Sequence, residues 1–158
     1  MTRIGVTGHQ NIPINALDLI RIGIEKVVLC YGSEMMGVSA LAAGADQLFA
    51  DIVLRSGGRL HVVIPCHGYE RTFSHENDLH HYNDLLKRAE VVEILNHAEP
   101  SEDAYLDAGH RVVDLSNFLI AVWDGEPAKG KGGTADIVRY AKEHGTEVQI
   151  VWPSGFTH

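Results

Sequence analysis

The sequence predicts an α/β protein with a Rossmann-like, doubly wound, mainly parallel sheet of about six strands flanked by helices. Three observations carry this reading. Short apolar, β-branched runs alternate with amphipathic segments from end to end of the chain. Several of the runs are apolar at consecutive positions, as in strands covered by helices on both faces. Gly or Pro punctuates many of the ends, where a strand or helix gives way to a loop.

The first run, Arg3 to Gly8, is a strand that stops at Gly8. Between Asn15 and Tyr31, Leu17, Ile20, Ile24, Val27, Val28 and Tyr31 recur at steps of three and four, the mark of a helix. Pro13 stands just before it, where a helix start tolerates proline. Met35 to Ser39 is the second strand. Gly44-Ala45-Asp46 opens a helix carried by Leu48, Phe49, Ile52 and Val53 and stopped by Gly57-Gly58. Leu60 to Ile64 is the third strand, ended by Pro65. Residues 66–75 are polar and irregular, and a helix follows over Glu76 to Arg88. Val91 to Leu95 is a strand, Ala104 to Ser116 a helix, and Phe118 to Trp123 the fifth strand. After the Gly- and Lys-rich stretch 124–133, a helix over Thr134 to His144 and a strand over Val148 to Trp152 complete the pattern. Analogy with other open parallel sheets suggests the order 3-2-1-4-5-6.

A chain of 158 residues fits one domain, spanning 1–158, since domains commonly run to about 100–200 residues. Lys plus Arg number 13 against 21 Asp plus Glu, a formal charge of −8. This balance weighs against nucleic acid and against anionic membranes, so neither is expected as a partner. No apolar run approaches the ~20 residues of a membrane span, and MTRIGVTG lacks the apolar stretch of a secretory signal. Cys30 and Cys66 do not form a disulfide framework. The expectation is a soluble, cytoplasmic domain.

In open parallel sheets, ligands bind outside the carboxyl ends of the strands. The loop after the fifth strand is the most informative there. It runs Asp124-Gly125-Glu-Pro-Ala-Lys-Gly-Lys131-Gly132-Gly133-Thr134 and leads into a helix. Glycines let backbone amides approach a ligand, and a helix N-terminus adds free N–H groups and partial positive charge. Lys129 and Lys131 add full charges. Together these make an anion site, with phosphate as the anion. The alternative is a solvated loop with Thr134 capping its helix. Gly125-x-x-x-x-Gly130-Lys131 imitates a P-loop but continues with Gly132 where the magnesium-binding Ser or Thr belongs, so an ATPase or GTPase is rejected.

Thr7-Gly8-His9 follows the first strand. Gly8 would let backbone pass near a phosphate or base and His9 could bond a ligand, or the segment is a tight turn. The stretch Ser39 to Asp46 follows the second strand. In it Gly44-Ala45-Asp46 begins a helix, and Asp46 either accepts from ribose hydroxyls or complements the helix dipole. Arg111, on the helix leading into the fifth strand, is a surface charge or a bidentate phosphate ligand. His75-Glu-Asn-Asp-Leu-His80 has one residue too many for the zinc-protease pattern, and the histidines of 67–81 read as a polar lid. No metal and no cofactor are expected. No Cys-His-Asn set is legible around Cys66, and there is no Gly-x-Ser-x-Gly elbow.

Gly5-Val-Thr-Gly-His9, Gly44-Ala-Asp46, and Phe118-Leu-Ile-Ala-Val-Trp-Asp-Gly125 leading to Gly132-Gly-Thr134 together resemble the SLOG superfamily of Rossmann-like proteins, which includes LOG, DprA and YpsA-like members. The similarity spans nearly the whole chain. It implies Gly-rich loops that bind a nucleotide or nucleotide-derived small molecule, and it suggests a homo-oligomer. LOG members cleave the N-glycosidic bond of nucleoside 5′-monophosphates through Pro-Gly-Gly-x-Gly-Thr-x-x-Glu. Aligned on Gly133-Thr134, Ile137 stands where that glutamate belongs, Lys129-Gly130-Lys131 replace Pro-Gly-Gly, and Asp136 is one position early. The expected function is therefore a ligand sensor or binding module, with a phosphoribohydrolase as the alternative and the catalytic residues unknown.

Overall fold

The computed structural model describes residues 1–127 and 133–153. Six strands, β1 (Thr2–Gly8), β2 (Met35–Ser39), β3 (Arg59–Ile64), β4 (Val91–Ile94), β5 (Phe118–Val122) and β6 (Glu147–Ile150), form one sheet. Five helices join them: α1 (Leu17–Val28), α2 (Ala45–Arg55), α3 (Glu76–Arg88), α4 (Glu102–Leu115) and α5 (Thr134–Glu143). Each sequence-derived element is present, with ends moved by a few residues. Two 3₁₀ turns are added, at Ile14–Ala16 ahead of α1 and at Tyr69–Thr72 in the stretch read as irregular.

Every neighbouring pair of strands is parallel. The order is β4-β3-β2-β1-β5-β6, not 3-2-1-4-5-6. β4 continues outward beyond β3, and β5 takes the place beside β1, with Ile4 opposite Phe118 and Gly8 opposite Val122. The apolar patterns of β4 and β5 are alike enough that alternation alone does not assign the central place. Their environments differ sharply: β5 is buried at every position, whereas Val91, Val92 and Ile94 of β4 are exposed.

Side chains on alternate strand positions feed two cores. Ile4, Val6, Val62, Ile64, Ile120 and Val122 pack with Ile20, Ile24, Phe49, Val53, Tyr82 and Leu85 of α1, α2 and α3. Val38, Val63 and Leu119 point the other way, against Ala108, Val112, Ile137 and Ala141 of α4 and α5. α1–α3 therefore cover one face and α4 and α5 the other. The chain moves outward from β1 to β4, then returns to β5 and moves outward in the opposite direction. The loops leaving β1 and β5 consequently diverge, which opens a crevice at their carboxyl ends.

Among the described residues, no helix is long and apolar enough to cross a membrane.

Candidate functional site

A cleft of about 660 Å³ occupies this carboxyl edge. The loop after β1 lines it through Thr7, Gly8, His9, Gln10 and Asn11. Ala40, Ala42, Ala43 and Asp46 come from the β2–α2 junction, and Trp123, Asp124, Glu126 and Pro127 from the loop after β5. Gly133, Thr134, Ala135 and Ile137 bring the start of α5. Of the candidates chosen from sequence, Thr7, Gly8, His9, Asp46, Asp124, Gly133 and Thr134 thus share one cavity. Lys131 and Gly132 lie outside the described residues.

The β1 and β2 loops are clamped together by backbone. His9 donates its N–H to the Val122 carbonyl at 3.2 Å and accepts from the Ala45 N–H at 3.2 Å, tying β5, β1 and α2 at one point. Gly44 makes the clamp sterically feasible. Its φ is +84°, and a side chain there would strike the carbonyl groups of His9 and Gln10. Gly8 has Ala45 and Val122 where its own Cβ would stand, so only small residues permit this contact. Gly44 and Ala45 do not line the cleft; they set its shape. Ser39 acts similarly from the core. Its buried hydroxyl accepts the Leu41 N–H at 3.0 Å and holds a turn in which Leu41 adopts φ +56°. Gln47, not among the sequence candidates, donates to the carbonyls of Leu41 at 3.2 Å and Asp78 at 3.0 Å, linking this turn to α3.

Asp46 is 8% exposed, and its Oδ2 accepts the Ala42 N–H at 3.2 Å. Burial raises its pKa from 3.8 to about 7, and the bond from Ala42 opposes the rise. A desolvated carboxyl of this kind facing a cleft is a mark of a functional site. The nearby Tyr69 hydroxyl is pushed well above its ordinary value by burial and by the charge of Asp46.

His9 and Asp124 meet across the cleft mouth. The Asp124 N–H donates to His9 Nε2 at 3.3 Å, and Asp124 Oδ1 lies 3.2 Å from the same nitrogen. Neutral His9 therefore accepts from the backbone, and protonated His9 donates to the carboxylate. Asp124 Oδ1 also accepts the Glu126 N–H at 3.0 Å, and Trp123 Nε1 donates to the Glu126 carbonyl at 2.9 Å, which shapes the start of the loop. The cap of α5 is Gly133, so Thr134 occupies the first helical position, 8% exposed, instead of capping. Gly125, at φ +90°, turns the loop without lining the cleft.

Arg111 is elsewhere. Its Nε and Nη2 donate to Glu93 at 2.6 and 3.3 Å, and Glu93 also meets His61 Nε2 at 3.1 Å. Arg111 thereby pins α4 to β4, and the pairing holds the Glu93 carboxyl below its ordinary pKa. Asp136 pairs with Arg139 at 2.7 Å and is not among the residues lining the cleft. Ile137 is 1% exposed and fills the space over Gly109, where a Cβ would collide with its side chain. An aromatic wall missed from sequence closes the β3 side. Tyr69, Phe73 and Tyr105 line the cleft there, with Tyr82 packed behind. No group of three His, Cys, Asp or Glu able to hold a metal exists among the described residues.

No protein-family model matches the sequence. No curated protein matches it either. Solved structures do. DNA processing protein A from Streptococcus pneumoniae superposes over 94% of this chain with a TM-score of 0.71 and 20% identity. The corresponding protein from Helicobacter pylori does so over 94% with a TM-score of 0.69 and 13% identity. At these identities the likeness shows the fold alone, a parallel six-stranded sheet flanked by helices. The molybdenum cofactor carrier protein of Chlamydomonas reinhardtii shares this fold over 94% of the chain, with a TM-score of 0.58 and 18% identity. The chain spans only 50% of the pneumococcal protein and 64% of the Helicobacter protein, against 75% of the carrier protein. The Helicobacter structure is described by its mode of binding single-stranded DNA. The exclusion of nucleic acid drawn from the −8 charge is thereby overturned: a protein of the same fold binds single-stranded DNA, and net charge averages over the whole surface and does not describe any one face.

Proposed function

We propose that the cleft binds a nucleotide or nucleotide-derived ligand, with phosphate at the N-terminus of α5, and that the protein acts as a sensor or binding module. One observation carries this reading: the β1 loop, the α2 N-terminus and the α5 N-terminus converge on a single cleft that has a buried carboxyl in its lining. Free amides and the dipole at a helix start favour an anionic group. The phosphoribohydrolase reading has less support. Ile137, apolar and buried, occupies the position of the LOG glutamate, and Asp136 is engaged by Arg139.

Calorimetric titration with AMP, ADP, ADP-ribose and cyclic nucleotides tests the proposal. At least one should bind, and Gly133→Trp should abolish that binding while the fold persists. Absence of binding across the set would refute the reading. Chromatography for free base after incubation with nucleoside monophosphates tests the alternative. Base release that is lost in Asp136→Asn would establish the enzyme instead.

A further inference from the structure

We propose that a ribonucleotide lies lengthwise along the sheet edge, base against the aromatic wall after β3, ribose diol on Asp46, phosphate at α5, so that the cleft selects ribose over deoxyribose. This rests on the nucleotide reading above and adds the ligand's direction and its sugar. The direction follows from strand order. β3, β2, β1 and β5 are consecutive neighbours, so their loops present their chemistry in that sequence. Three strand spacings of about 4.8 Å place the two ends roughly 14 Å apart, the scale of one mononucleotide.

Each position offers one kind of partner. After β3, the rings of Phe73 and Tyr69 lie 5.6 Å apart, and those of Phe73 and Tyr82 4.9 Å. Phe73 and Tyr105 are half-buried at the cleft, a surface for a flat base. After β2 comes Asp46. A carboxylate has sites for about four hydrogen bonds, and the Ala42 N–H takes one. A carboxylate buried to this degree repels phosphate and needs further donors. Two vicinal hydroxyls supply two donors to one carboxylate; a 2′-deoxy sugar supplies one. Beyond β5, Gly133, Thr134 and Ala135 offer amides at the start of α5, the Asp136 carboxylate in the same turn is taken by Arg139 at 2.7 Å, and the cleft-lining Glu126 is exposed to solvent. The Asp124 carboxylate near that end is engaged by the Glu126 N–H and by His9. Phosphate thus has its place at one end of the line, with the base at the other.

Sites built to bond a hydroxyl discriminate strongly against ligands lacking it, because the buried group is left unpaired. The test is calorimetry at pH 8 with the four ribonucleoside 5′-monophosphates and their four 2′-deoxy counterparts. The wild-type protein should prefer the ribo form of its best base at least tenfold. Asp46→Asn, isosteric and still able to accept from Ala42, should keep its circular dichroism spectrum and reduce the preference below threefold. Phe73→Leu should weaken the ribo and deoxy forms by the same factor. Equal ribo and deoxy affinities in the wild type, or full preference retained in Asp46→Asn, would overturn the assignment and leave nucleotide binding standing. Failure of all eight compounds to bind would overturn the assignment, and failure of ADP, ADP-ribose and cyclic nucleotides as well would overturn the nucleotide reading beneath it.

Discussion

Asp46→Asn makes a quantitative prediction about stability, separate from any ligand. The Asp46 carboxyl titrates near 3.8 when unfolded and near 7 when folded. Between those values the folded chain keeps a proton that the unfolded chain has lost. Stability from this residue is therefore fully present below pH 3.8, falls as pH rises, and levels off above pH 7. At about 1.36 kcal/mol per pH unit, the total loss is roughly 4 kcal/mol, of which roughly 2.5 kcal/mol falls between pH 5 and pH 8. Asn does not titrate but can still accept the Ala42 N–H. All other groups are common to both proteins and cancel in the difference. Urea unfolding at half-unit steps from pH 5 to pH 8.5 should show the variant gaining on the wild type steadily up to pH 7 and holding a constant lead above it. A difference that stays flat across this range would show that Asp46 is hydrated in the folded protein and that the cleft does not desolvate it.

Gly44→Ala should cost more than about 2 kcal/mol by denaturant unfolding, because both its positive φ and the His9 and Gln10 carbonyls oppose a side chain. Gly109→Ala should lower stability by about 1–3 kcal/mol through its collision with Ile137, and Ile137→Val, which removes the colliding methyl, should restore part of the loss in the double variant. Arg111→Ala should leave the affinity for any nucleotide that binds within twofold while lowering stability near neutral pH by up to about 1 kcal/mol, since Arg111 pairs with Glu93 at a partly exposed site; a tenfold affinity loss would return Arg111 to the cleft.

Element positions were legible because the strands are β-branched or apolar runs and the helices carry 3.6-residue stripes. Strand order was not: neither Val91–Ile94 nor Phe118–Val122 contains a residue that names its neighbour. At the site, Gly8, Gly44 and Asp46 could be found because a turn residue or a helix start at a strand end marks backbone near the edge. Their division of labour could not, since only tertiary contact separates Gly44, which shapes the clamp, from Asp46, which faces the cleft. Arg111 misled because a bidentate carboxylate partner eighteen residues away, Glu93, satisfies the same guanidinium geometry as phosphate. The aromatic wall combines Tyr69 and Phe73 with Tyr105 from another helix. The Tyr69–Phe73 spacing, in a stretch otherwise polar, was the available signal.

The placement of β5 bears on how the chain assembles. β1 to β4 pair in order of synthesis, each strand beside the one before it. β5 must instead insert against β1, with Ile4 meeting Phe118 across most of the chain. Such a long loop closure is slow compared with the local pairings that precede it. Until it occurs, one edge of β1 and its apolar face stand open, which is the state from which misassociation proceeds. The His9–Val122 bond and the meeting of His9 with Asp124 form only at that step. The cleft between the β1 and β5 loops is therefore complete only with the last long-range pairing, and any ligand that bridged those loops would hold that pairing closed.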